Sequence, residues 1–531
     1  MVATISTITG SSSSPSSRRS RFRKHPTLTT LCLLSFLSIT FGLVLWTAVN
    51  SDRAYLHPIL TQIIPAGHCA CETATVFECS SCLTCSHQTT LSLAPSSHPS
   101  NLSESSSDPD SESNSEGSEP GQCEWQWEFE YARDGHNAGL SREQCDAAFP
   151  GLFEDVHRGR SYWSSRGGIS IAELDTITLN PGMARARIAN GQLYVLATRA
   201  RGEDHRRKIL AALSAMHRAL ITDTQDQTSS PRDIEFIFSI EDKLSDVADA
   251  FADPIWTLAR TASEEAAWLM PDFGFWSWDH AHTEIGPYDA VVEDAVEYDA
   301  LPWGERVQKL VWRGKPSFAP KLRRALLDRT RGRAWADVQA VDWHRHDSEG
   351  EGEGNVLGLG EHCRYGFIAH VEGRSYSASL KYRQACRSVI VAHKLQYIQH
   401  HHYLLIPSGA SQNYVEVERD FSDLEAKIAP LLTDPARAQA IADNSVRAFR
   451  ERYLTPAAEA CYWRGLWDGY AGVWNGTSSA ESAGSAGSAG AIEFSERGGA
   501  GRPSGSGRRR GMRYESFVLQ RSQAMLEFDA R

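Results

Sequence analysis

Surplus positive charge is what this 531-residue sequence lacks: 54 Lys and Arg stand against 66 Asp and Glu, a net charge of −12 with a pI near 5.9. That balance excludes a global phosphate-seeking field, so nucleic acid is not an expected partner and any phosphate binding has to be local. Charge is missing altogether from Leu28 to Val49, a run of 22 residues that would span roughly 33 Å as a helix, about the hydrocarbon core of a bilayer. Arg18, Arg19, Arg21, Arg23 and Lys24 precede the run, whereas only Asp52 and Arg53 follow closely. The basic side stays in the cytosol, which sends the rest of the chain to the lumen as a type II protein. A small-x-small cleavage site is also wanting, which favours an uncleaved signal-anchor over a removed signal peptide.

Apolar residues are nearly absent from Ser96 to Gly121, so this stretch cannot bury enough surface to fold. Before it lie Cys69, Cys71, Cys79, Cys82 and Cys85. A zinc knuckle is one reading of these thiols; in an oxidising lumen, disulfides within the stem or between two chains as a linked dimer are the blander one. Asn101-Leu-Ser103 and Asn475-Gly-Thr477 are glycosylation sequons compatible with a lumenal body. The division expected is a tail (1–27), the anchor (28–49), the stem (50–122), two halves of a folded body (123–300 and 301–474), and a low-complexity tail (475–531) whose last segment, Met512–Phe528, docks back as a short helix.

Strand-like and helix-like segments alternate within the body. LYVLA (193–197) precedes a helix with Ile209, Leu210, Leu213, Met216 and Leu220 on one face, and IEFIFSI (234–240) reads as a strand buried on both sides. KLVW (309–312) leads to a helix at Lys321–Asp328; FIAHV (367–371), a helix near Ser379–Cys386, SVIVA (388–392) and YLLIP (403–407) continue the pattern, and two amphipathic helices follow at 422–432 and 435–453. The fold class expected is α/β, with two parallel-sheet, Rossmann-like domains facing a cleft and a boundary near residue 300.

Ligands in such sheets sit beyond the carboxyl ends of the strands. Asp242, just past IEFIFSI, is a candidate general base or the N-cap of the next helix. Arg313 and Gly314 end the VWRG strand, where an arginine could hold a diphosphate or make a surface ion pair. In VEGRSYSASLKYRQACRSVIVAH, Gly373, Ser375, Ser377 and Ser379 lead into a helix, and Lys381 adds charge: an anion-binding loop or a Ser-rich cap. His393, His400, His401 and His402 lack an acidic or Cys partner at ligand spacing, which points to a partly exposed helix end rather than a metal site.

The stretches GLSREQCDAAFPGLF, WLMPDFGFWSWDHAHTEIGPYD, PWGERVQKLVWRG, CRYGFIAHVEGRSYSASLKYRQACRSV, NYVEVERDFSDLEAKI and RERYLTPAAEACYW together resemble the capsule-associated glycosyltransferase family, which includes Rumi-like protein O-glucosyltransferases and fungal capsule xylosyltransferases. The resemblance covers about residues 124–470 and implies a fold of the GT-B type. It also implies inverting, metal-independent transfer of glucose or xylose from a uridine diphosphate donor to a protein or polysaccharide hydroxyl, with no cofactor. Asp242 matches the family's acid–base aspartate. Arg313 with Gly314, and Arg374, Ser375, Ser377, Ser379 and Lys381, match its donor-holding residues; Trp276, Trp278 and Asp279 would face the acceptor. The only Asp-x-Asp, Asp108-Pro-Asp110, lies in the stem rather than in the fold. Ser379 stands where relatives carry an arginine, which keeps a second reading open: a catalytically inactive lumenal scaffold. Either would sit in the Golgi or the ER membrane.

Overall fold

The computed structural model describes residues 127–224, 232–280, 283–285, 287–341, 355–476 and 511–530. The expected anchor, stem and stem cysteines lie outside these residues. Among the described residues no helix is long and apolar enough to cross a membrane.

The first lobe grows from a hairpin. β1 (Met183–Ala189) and β2 (Gln192–Arg199) are joined at Asn190-Gly191, both with positive φ (51° and 67°), as a primed two-residue turn demands. β1 also pairs antiparallel with β3 (Asp233–Ser239), Met183 opposite Ser239. β4 (Ile255–Thr257) and β5 (Trp268–Leu269) then add in parallel. The sheet is therefore mixed, not parallel as expected, because two of its strands meet through a tight turn instead of a helical crossover. Helix α1 (Glu154–Ser164) and helix α2 (Glu203–Ile221) flank it, α2 burying Ile209, Leu213, Met216 and Leu220 on the predicted face.

The second lobe follows helix α3 (Tyr288–Glu297), whose apolar face (Tyr288, Val291, Val292, Ala295) is buried in the second core although it precedes the expected boundary. Strands β6 (Val307–Gly314), β7 (Ala336–Ala340), β8 (Tyr365–His370), β9 (Val389–His393) and β10 (Val415–Val417) form an all-parallel sheet in the order β7-β6-β8-β9-β10. Helices α4 (Pro320–Thr330), α5 (Ser379–Gln384), α6 (Leu424–Thr433) and α7 (Pro435–Ala448) connect and cover it. This half is the expected Rossmann-like sheet, with one correction. YLLIP is not a strand: Asn413 takes up its backbone, donating to Leu404 O and accepting from Ile406 N at 2.9 Å each.

The chain then returns. Helix α8 (Pro456–Ala471) buries Tyr462, Trp463, Leu466, Trp467 and Tyr470 in the first core, where Trp256 lies stacked on Phe236. Cys461 of α8 is disulfide-bonded to Cys145, and a second disulfide joins Cys363 to Cys386. The final segment docks as expected but mainly by strand pairing: β11 (Met512–Arg513) and β12 (Glu527–Asp529) both line up along β2, and Phe517 and Met525 enter the first core.

Candidate functional site

In the strand order β7-β6-β8-β9-β10 the connections reverse direction between β6 and β8. That reversal is a topological switch point, and the carboxyl ends beside it are where such sheets receive ligands. Gly314 ends β6 and His370 ends β8.

Arg313 reaches this edge fully committed. Its Nε donates to Asn355 O (2.7 Å), Nη1 to Trp312 O and Asp337 O (3.1 and 2.7 Å), and Nη2 to both carboxylate oxygens of Asp337 (2.9 and 3.0 Å). All five N–H groups of the guanidinium thus have partners, so of the two readings open at this residue the ion pair is the one present. Gly314, half-buried, pairs with Ala340 on β7.

Two other arginines lie beside these strand ends. Arg323, one turn into α4, donates from Nε to Glu372 O (3.0 Å) and from Nη1 to Lys315 O (2.7 Å), so it bridges the chain leaving β6 and the chain leaving β8. Arg383 of α5 contacts Nδ1 of His370 through Nη1 at 2.9 Å. Neither forms an ion pair with a carboxylate among the described residues, although both are more than nine-tenths buried. Burial pushes the Arg323 guanidinium down to about 10; burial and the repulsion of Arg323 push Arg383 down to about 9. Buried cations without counterions are costly, and their complement is an anion. Arg323 is not among the residues expected from the sequence. The available signal was its place one turn into the helix that follows the VWRG strand.

The Ser-rich loop joins these strand ends to the first lobe. Ser375 is fully buried and its Oγ donates to the carbonyl of Asp242. Exposed Arg374 pairs with Asp246 at 2.7 Å, and Ser377 and Ser379 exchange a hydroxyl hydrogen bond at 2.9 Å. The Asp242 carboxylate is exposed, and it does not cap the following turn, whose N-cap residue is Lys243 with no side-chain cap. A carboxylate of one lobe, with no side-chain partner among the described residues, is therefore hooked through its own backbone to the loop beside the arginines of the other.

Lys381 points elsewhere. Its ammonium donates to Asp272 Oδ1 (2.8 Å), Asp272 Oδ2 (2.9 Å) and Ala378 O (3.1 Å), which uses all three protons. Burial lowers its pKa while Asp272 opposes that shift. The expected donor lysine is thus a buried clamp between lobes, and α5, with six residues, is too short to supply a strong dipole.

Trp276 is half-buried with the Arg218 guanidinium 4.9 Å from its ring, and Trp278 packs on Phe273 and Tyr382 with ring centroids 5.9 and 6.4 Å away. Asp279 lies on a two-residue strand opposite Glu284. The histidines are not an exposed helix end: His400 and His401 are 2% and 0% exposed, in a loop packed on Phe275, Tyr462 and Phe449. No group of His, Cys, Asp and Glu that could hold a metal ion occurs among the described residues. A cavity of about 160 Å³ beside the Cys145–Cys461 disulfide, lined also by Arg142, Arg160 and Asp468, shares no residue with the strand ends of β6 and β8.

Comparison with known proteins identifies the constellation's family. Residues 141–482 match the model of glycosyl transferase family 90. Protein O-glucosyltransferase 1 of Homo sapiens is 23% identical over 236 residues, 41% of this chain and 57% of that protein; its counterpart in Rattus norvegicus is 23% identical over 234 residues with the same coverage. The chain thus spans 57% of the length of these curated relatives. The match to the family extends over well more than half of the 531 residues and takes in both lobes, and the chain belongs to glycosyl transferase family 90.

Proposed function

We propose that this glycosyltransferase takes its sugar from a uridine diphosphate donor and delivers it, with inversion, to a hydroxyl of a protein or polysaccharide. The observation that carries the reading is the pair Arg323 and Arg383, two buried guanidiniums without carboxylates at the switch point of the parallel sheet. A diphosphate there would gain charge-assisted hydrogen bonds and relieve the repulsion between them. This supplies locally what Ser379 withholds, and in this reading the arginines, not a metal, neutralise the departing diphosphate. Arg313 and Lys381 become framework residues, the first fixing the β6–β7 edge and the second fixing α5 to Asp272. In this reading Gly314 borders the donor at the end of β6, Ser377 and Ser379 along the Ser-rich loop, and Trp276, Trp278 and Asp279 face the acceptor.

Asp242 takes the proton from the acceptor hydroxyl while its oxygen attacks the anomeric carbon from the face opposite the diphosphate. The new C–O bond forms as the bond to phosphate breaks, and the electron pair leaves with uridine diphosphate. The type II anchor at 28–49 would place this chemistry in the lumen of the Golgi or the ER. The relatives, named as O-glucosyltransferases, favour glucose and a protein acceptor; xylose differs by one hydroxymethyl group and is the other donor to test.

The test uses the full chain with radiolabelled UDP-glucose and UDP-xylose. Asp242→Asn is expected to bind UDP as the wild type does and to lose turnover by about a hundredfold or more. Full turnover by Asp242→Asn would remove the general-base assignment. Ser379 favours a second reading, an inactive scaffold, which UDP binding without turnover of either donor would support.

A further inference from the structure

His370 is the last residue of β8 and is 1% exposed. Arg383 Nη1 lies 2.9 Å from its Nδ1. A guanidinium can only donate, so Nδ1 must present its lone pair and the imidazole must be neutral, with its proton on Nε2. The groups acting electrostatically on His370 are Arg383 of α5, Arg323 of α4, His393 of β9 and His402 of the loop after β9. None is a carboxylate. A proton on His370 would place a third positive charge beside two buried arginines, and burial together with those arginines holds its pKa well below the usual histidine value.

Arg383 makes no other hydrogen bond or ion pair among the described residues, so His370 alone fixes the direction of its guanidinium. We propose that His370 is the positioning residue of the donor site: its neutral Nδ1 holds one edge of Arg383 and thereby aims the remaining N–H groups at a phosphate oxygen. The proposal rests on the nucleotide-sugar reading above and adds a residue that never touches the donor. It also explains how a chain with serine at position 379 keeps an ordered arginine at the switch point. Arg383 arrives from one turn further along α5, where a flexible side chain would sample several rotamers without a buried acceptor.

The experiment is calorimetric titration of UDP into the full-length protein and its variants, with thermal unfolding run on each. His370→Phe keeps the ring and removes the acceptor; UDP affinity is expected to fall by about tenfold or more, the worth of one charge-assisted hydrogen bond. His370→Asn restores an acceptor oxygen near the place of Nδ1, and its affinity is expected to return to within a few-fold of wild type. Arg383→Met is expected to lose as much as His370→Phe, and combining the two to lose no more than Arg383→Met alone. Wild-type affinity in a folded His370→Phe, equal losses in His370→Phe and His370→Asn, or full affinity in Arg383→Met would each overturn the proposal. If His370→Phe does not fold, the Asn and Met variants decide. A wild-type chain that binds no UDP would instead overturn the nucleotide-sugar reading, and this inference with it.

Discussion

At Gly274 a single hydrogen atom makes room for a fully buried ionic contact between the lobes, Lys381 with Asp272. A Cβ there would stand 2.8 Å from Tyr382 Oη and 2.9 Å from both Asp272 Oδ1 and Lys381 Nζ. Gly274→Ala is therefore expected to lower stability by about 1–3 kcal/mol through overpacking and to disturb the pair it abuts. Lys381→Met is the harsher change: it leaves Asp272, 0% exposed on its side chain, as an unpaired buried charge, a loss of about 3–5 kcal/mol. Replacing both partners together (Asp272→Leu with Lys381→Met) should restore much of that loss, because the penalty belongs to the unpaired ion. Urea unfolding of the three variants measures these differences; a double variant no more stable than Lys381→Met would show that the loss is one of packing.

Among the elements, the closing segment carries the plainest prediction. β11 and β12 cover the outer edge of β2, Thr198 donates to Met525 O at 2.7 Å, and Ser214 pairs with Tyr514 at the same distance. Removing residues 477–531 bares that edge and empties the site of Phe517, whose loss alone is worth about 3–5 kcal/mol. The truncated chain is expected to melt lower and to associate in light scattering, with UDP affinity unchanged since the described residues it loses, 511–530, pack on the first sheet away from β6 and β8. β6, β8 and β9 were legible as apolar runs, and their strand-end positions with them, whereas β7 (ADVQA) and the three-residue β10 were not, being too polar or too short to show a run. β1 was not, because Arg185 and Arg187 interrupt its apolar pattern and only their ion pairs with Glu235 and Asp233 across the sheet make them strand residues. YLLIP has a strand's composition, but its hydrogen bonds are taken by Asn413, a distant choice that no local pattern announces. The site divided in the same way: Asp242 and the Ser-rich loop lie where their strands end, whereas the commitments of Arg313 and Lys381 depend on Asp337 and Asp272, which sequence distance hides.

At the scale of the whole molecule, the two lobes are joined at several points. Besides the Lys381–Asp272 clamp, Tyr397–Ile398 pairs with Arg260–Thr261 across the lobes, Arg260 joins Asp155 and Tyr403, and Tyr382 donates to Gly274 O at 3.1 Å. Buried histidines make stability depend on acid. Burial holds His362 at about 4 and His400 at about 3, against about 6.5 in an unfolded chain. These groups are neutral in both states above pH 6.5, so their contribution is intact there; below it the unfolded chain takes up protons that the folded chain refuses. Each histidine is then expected to cost about 1.4 kcal/mol per pH unit between 6.5 and its folded value. The thermal midpoint should fall from pH 7 to pH 5, and a constant midpoint would refute the buried neutral state. The return of α8 and of β11 and β12 to the first sheet has a temporal meaning too. The first lobe lacks Trp463, Tyr470 and Phe517 until the last part of the chain has been made, and Cys145 waits 316 residues for Cys461 whereas Cys363 meets Cys386 after 23. On a ribosome the second lobe can close and oxidise first, and the half that is read first is finished last.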